Sequence, residues 1–182
     1  VPIPDVVRST VLRRLARLDR SARAVVMRAS VVGRHFDLQV LAAATARSEA
    51  RVRAALEQAC DLQLVLIAAE DRYSFRHALT RDIIYAEFLG GRTRPLHRRI
   101  ARVLELRRQF TEVSLEELAY HAWAGADARR ALRYNELAGD NAAAIHASTD
   151  ARRYYERARS LTGIHSAAYA RLTQKLQRAG DA

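Results

Sequence analysis

Hydrophobic positions recur at helical spacing over most of this chain and alternate in only one place. Val7, Val11, Leu15 and Leu18 share one helical face with Arg opposite, and Pro4 suits a first turn. "ARAVVMRASVV" predicts a second helix, with Ser21 as its cap and Gly33 at its end. In "GRHFD", Phe36 is expected to pack inward and Asp37 to cap a third helix, "LQVLAAAT". Ser48 is placed to cap a fourth, "EARVRAALEQAC", with Val52, Leu56 and Cys60 along one face. The period then changes. "LQLVLIAA" is an apolar run, and "RYSFRH" alternates Tyr73, Phe75 and His77 with Ser74 and Arg76. With "EDR" as the turn between them, the two predict a β-hairpin. Helical spacing returns in Leu79, Ile83, Ile84 and Phe88, until Gly90 and Gly91 stop it.

Pro95 opens a further helix, "PLHRRIARVLELRRQF", and the remainder is Ala-rich and helical throughout. Ser114 with Glu117 makes a capping box for "LEELAYHAWAG". Gly139 lies inside the long segment "DARRALRYNELAGDNAAAIHA" and weakens its helix propensity. "DARRALRYNELA" and "DARRYYERARSL" resemble one another, a hint of helix pairs stacked as an α-solenoid. Helices followed by a hairpin are the parts of a winged-helix domain. The expected fold is therefore mainly α: a winged-helix domain with a short β-hairpin over 1–91, then antiparallel helix pairs over 92–182 that form an incomplete arm. A stack of fewer than three repeats is marginal alone, so further repeats are expected in a longer parent chain.

Composition narrows the function more than the fold. The chain has 182 residues, 49% of them apolar, with no run long enough to span a membrane. Val1 opens a polar, Arg-bearing segment, read as part of a longer protein and not as a signal peptide. Cys60 is the sole cysteine, which excludes a disulfide framework and a thiolate metal cluster and suits a reducing cytoplasm. The net charge of +11 points to anionic partners: nucleic acid, nucleotide phosphate or an acidic protein surface. The most basic stretch is "GGRTRPLHRRIARVLELRR". There Arg92, Arg94, Arg98, Arg99, Arg102, Arg107 and Arg108 stand against Glu105 alone. It reads either as an anionic-partner surface or as the solvated face of a connector helix.

Enzyme chemistry finds little support. Lys175 is not preceded by the glycines of a P-loop, so the chain alone is not expected to hydrolyse ATP. His35, His77, His97, His121, His146 and His165 are scattered, none with metal-ligand spacing. Neither HExxH nor GxSxG occurs, and no carboxylate pair stands out. The fourth helix mixes Glu49, Glu57 and Asp61 with Arg47, Arg51 and Arg53, so no clean base-reading face is visible. Tyr120, Trp123 and Tyr134 read as packing residues between helices, with a ligand cage as the alternative.

Four segments, in this order, carry a resemblance: "RLARLDRSARAVVMRASVVGRHFDLQVLAAAT", "YSFRHALTRDIIYAEFL", "LHRRIARVLE" and "LAYHAWAGADARRALRYNELAGD". Together they resemble the STAND signal-transduction ATPases of bacteria, including large LuxR-type transcriptional regulators and cyclase-linked proteins. The similar part is the winged helix after the ATPase core and the start of a tetratricopeptide-like arm. The resemblance implies that ADP or ATP is bound by a core outside this chain, that an inducer or protein engages the arm, and that DNA is met through another domain. It also implies that His77 contacts the ADP phosphates when the winged helix closes as a lid, with Arg76 and Arg81 in support. "RHALTRD" keeps His77, Arg81 and Asp82 of the related Met-His-Asp pattern but has Ala78 where that pattern has Asp, which leaves no helper carboxylate. The alternatives are that His77 merely caps the hairpin or packs on Tyr73 and Phe75, that the winged helix binds DNA, or that the chain is a tetratricopeptide-like protein-interaction scaffold.

Overall fold

The computed structural model describes residues 4–88 and 93–180. The helix stop assigned to Gly90 and Gly91, and Arg92 with them, lie outside the described residues. The chain is mainly helical, with a small three-stranded antiparallel sheet, and divides into two compact units, Val1–Val103 and Leu104–Ala182.

The first unit opens with α1 (Asp5–Ala16), α2 (Arg20–Val32), β1 (His35–Asp37), α3 (Leu38–Thr45) and α4 (Glu49–Asp61). β2 (Val65–Ala69), β3 (Arg72–Phe75) and α5 (Ala78–Phe88) follow, and α6 (Thr93–Arg107) runs to the end of the unit and past it. α2 is central, packing against α4 and α5 with Val25, Val26 and Ala29 fully buried. Its cap is Asp19 and not Ser21: the Asp19 carboxylate accepts from Ala22 N at 2.8 Å, which starts the helix one residue before Ser21. Asp37 caps α3 through Gln39 N at 2.9 Å, as its position suggested. Ser48 occupies the cap position of α4, but its side chain accepts no capping hydrogen bond.

The sheet has one strand more than the hairpin read from the sequence. β1 pairs antiparallel with β3, His35 opposite Ser74 and Phe36 opposite Tyr73, to give the order β1-β3-β2. At three residues, β1 is too short to show alternation. Its Phe36 is 5% exposed and stacks on Tyr73 with ring centroids 6.1 Å apart, so the buried sheet face is an aromatic cluster. β2 is an edge strand, and a bulge between Ile67 and Ala69 disturbs its ladder with β3. Asp71 makes the turn at φ 56°, a left-handed conformation that Asp tolerates better than most residues.

The second unit holds α7 (Leu115–Ala124), α8 (Ala128–Ala144), α9 (Ser148–Arg159) and α10 (Ala167–Gly180). Each packs on its sequence neighbour: α7 on α8, α8 on α9, α9 on α10. Side-chain caps mark the starts of α7, α8 and α10, while α9 has none. Ser114 Oγ accepts from Glu117 N, Asp127 from Arg130 N and Ser166 Oγ from Tyr169 N. Small residues bring the axes together: Ala131, Ala138 and Ala142 on α8, Ala151 and Ala158 on α9, are all buried. Gly139 belongs to this set. A Cβ there would sit 2.5 Å from Tyr155 Cε1. Its absence admits the α9 ring, a packing gain that the propensity argument did not register. Of the three aromatics read as packing residues, Tyr134 is 2% exposed, whereas Tyr120 and Trp123 keep 39% and 38% of their surface.

Candidate functional site

The site begins where β3 gives way to α5. Two backbone hydrogen bonds end the strand: Phe75 N donates to Arg34 O at 2.9 Å and Arg76 N to Leu64 O at 3.1 Å. The chain then bends at Arg76 and His77, and the His77 carbonyl accepts from Thr80 N at 3.0 Å and Arg81 N at 3.4 Å. His77 thus stands at the cap position of α5, its backbone fixed on both sides. Thr80, Ile83 and Ile84 are buried and anchor the first turns of the helix beneath it. The Tyr73 ring stacks on Phe36 and the Phe75 ring packs against it at a tilt of 52°. The His77 side chain is exposed, as is that of Arg76, and neither makes an ion pair or side-chain hydrogen bond among the described residues.

Arg81 is placed differently. Its Nε donates to Ser30 O of α2 at 2.8 Å, its Nη1 pairs with Asp82 at 3.0 Å, and its guanidinium carbon lies 4.6 Å from the Tyr85 ring centroid. Ser30 is fully buried, so this guanidinium satisfies a carbonyl inside the unit and ties α5 to α2. Arg76 and His77 therefore form the exposed part of the site, and Arg81 braces the helix that carries them. Arg34, whose carbonyl receives Phe75 N, is a further exposed cation near this strand end. Sequence alone hid it because β1 was not visible as a strand.

Behind Arg81 lies a second feature that the sequence hid. His97 on α6 is 1% exposed, and its Nε2 is 3.2 Å from the Tyr85 hydroxyl. Burial first, and then the nearby Arg81 charge, push its pKa down to about 4, so the imidazole is neutral at ordinary pH. The visible signal was its position on the same helical arc as Leu96 and Ile100. Cys60, read as lining one face of α4 with Val52 and Leu56, is partly buried, and burial of its thiol together with Asp61 and Glu57 raises its pKa, which disfavours a reactive thiolate. Among the described residues, no group of three or more His, Cys, Asp or Glu is placed to hold a metal ion, and no helix is long and apolar enough to cross a membrane.

No family model, curated protein or solved structure matches the chain. The remaining sequence candidates, Arg94, Arg98, Arg99 and Arg102, are all exposed on α6, opposite the buried Leu96 and Ile100. In the second unit, several charges are held in pairs. Glu136 accepts from Arg171 and Lys175, which hold its pKa down to about 2, and Lys175 also reaches Asp140 at 2.7 Å. Arg157 lies over Trp123 at 5.9 Å, and Arg130 bridges Glu105 and Asp127 at 2.7 and 2.9 Å.

Proposed function

We propose that this chain is a regulatory segment of a STAND-type signalling ATPase, with the first unit a winged-helix lid and the second the opening helices of a tetratricopeptide-like arm. ATP binding and hydrolysis belong to a core outside the chain, in a cytoplasmic protein whose output is transcriptional or of a similar regulatory kind. The observation that carries the reading is the exposed His77 at the β3–α5 junction. Its backbone is locked, Arg76 stands next to it, and no carboxylate of the described residues neutralises either side chain.

That chemistry suits a phosphate sensor. An imidazole donates a hydrogen bond to a phosphate oxygen, more strongly when protonated, and a neighbouring guanidinium adds charge. The α5 N-terminus behind it favours the same anion. Because the contact exists only when lid and nucleotide meet, it biases closed against open, as a switch requires. Arg81 serves this arrangement indirectly, by fixing α5 against α2. The test is His77→Ala in the intact parent protein: weaker ADP retention and higher basal output are expected, and unchanged nucleotide exchange would remove the reading.

A further inference from the structure

We infer that the exposed face of α6 is a docking ridge for the phosphate backbone of duplex nucleic acid, engaged without regard to sequence. At about 100° per residue, Arg94, Arg98, Arg102 and Arg99 occupy an arc of about 140° on this helix. The opposite arc carries Leu96, His97, Ile100 and Ala101, all buried. The helix is thus rotationally fixed in the first unit, and its four arginines are held outward together. Arg94, Arg98 and Arg102 follow one another at i,i+4, a ridge about 12 Å long at 1.5 Å per residue. One strand of duplex DNA carries a phosphate for about every 3.4 Å of duplex axis, so the ridge covers an axial length of three to four of them.

Along the helix itself this face is poor in carboxylates. Some exposed arginines elsewhere meet carboxylates, as Arg8 with Glu87, Arg53 with Asp71, Arg153 with Asp150 and Arg171 with Glu136, while others, among them Arg23, Arg51 and Arg129, make no ion pair among the described residues. On α6 the one acid is Glu105, and its carboxylate is taken by Arg130 at 2.7 Å and the Tyr134 hydroxyl at 2.8 Å. Arg94, Arg99 and Arg102 show no ion pair among the described residues. Like charges at i,i+4 destabilise a helix, a cost that a bound polyanion reverses. A sequence pI near 10.9, with arginine concentrated along one helix face, is the electrostatic footprint of a nucleic-acid partner. A duplex presents its anionic edge whatever its sequence, whereas an acidic protein would have to place carboxylates at the spacing of about 6 Å that separates these arginines.

The surface is independent of the His77 site, and the two ideas stand or fall separately. The experiment is fluorescence anisotropy of a short labelled duplex of mixed sequence, titrated with this chain over a series of salt concentrations. Binding at low salt is expected, with the same affinity for unrelated sequences. The triple variant Arg94→Gln/Arg99→Gln/Arg102→Gln should flatten the plot of log affinity against log salt by about 3 units, at about 0.9 for each phosphate no longer neutralised. Arg→Lys at the same three positions should restore most of the slope. A charge-matched control, Arg23→Gln/Arg51→Gln/Arg129→Gln, should change it by less than about 1 unit. All six positions are exposed, and far-UV circular dichroism confirms that each variant is folded. Three results overturn the proposal: no binding by the wild-type chain at low salt, equal loss in the ridge and control variants, or displacement of the duplex by polyglutamate at lower charge concentration than by unlabelled duplex.

Discussion

His97 gives the chain a pH dependence of defined sign. In the folded protein its imidazole stays neutral until the pH falls to about 4, whereas in the unfolded chain it takes up a proton near 6.5. Between those values the unfolded state binds more protons, so stability is complete above pH 6.5 and falls as the solution is acidified towards 4. The full loss is on the order of 3 kcal/mol. Urea unfolding at neutral pH and at a pH inside the window reads it directly. His97→Gln should lose markedly less stability on acidification than the wild type, and parallel losses would show that other groups dominate. Arg81 is the other residue whose role lies inside the unit. Arg81→Met leaves the buried Ser30 carbonyl without its charged donor and should cost about 1–3 kcal/mol in the same urea measurement. The sequence showed Arg81 beside His77 and suggested shared work on a ligand. It did not show that the guanidinium turns inward, because that depends on α2 lying where its Ser30 carbonyl can receive it.

At the scale of elements, Gly139 supplies the sharpest test of how the second unit is packed. Substituting alanine raises helix propensity by about 1 kcal/mol in a free helix. Here the added carbon would lie 2.5 Å from the Tyr155 ring, which is held in place by a 2.8 Å hydrogen bond from its hydroxyl to Asp140. Gly139→Ala should therefore destabilise the chain by about 1–3 kcal/mol, the usual cost of overpacking. A rise in thermal midpoint would mean that α8 and α9 are not in this close contact. The helices were legible in the sequence because their apolar residues repeat at helical spacing and most have capping residues in view. β1 was not, since "HFD" is too short for a pattern and becomes a strand only by pairing with β3. The cap of α2 was misplaced by two residues because Asp19 and Ser21 are both good caps, and the structure starts the helix at Arg20, where Asp19 accepts from Ala22 N.

For the whole molecule, the net charge of +11 is unevenly used. In the second unit, Arg130, Arg171 and Lys175 are held by Glu105, Asp127, Glu136 and Asp140. Arg94, Arg99 and Arg102 on α6, and Arg76 with His77 at the bend, meet no carboxylate among the described residues. The candidate site was legible as a histidine at a strand-to-helix junction, since the change of period at "RYSFRHALTRD" marks the place. Its further exposed cation, Arg34, was not, because it arrives through the β1 pairing. The central claim is that His77 senses bound nucleotide in the intact parent, and the measurement that meets it most directly is the dissociation rate of labelled ADP from the wild type and from His77→Ala. Loss of one charge-assisted hydrogen bond, worth about 1.5–3 kcal/mol, should speed release roughly ten- to a hundredfold. Equal rates for the two proteins would contradict the account.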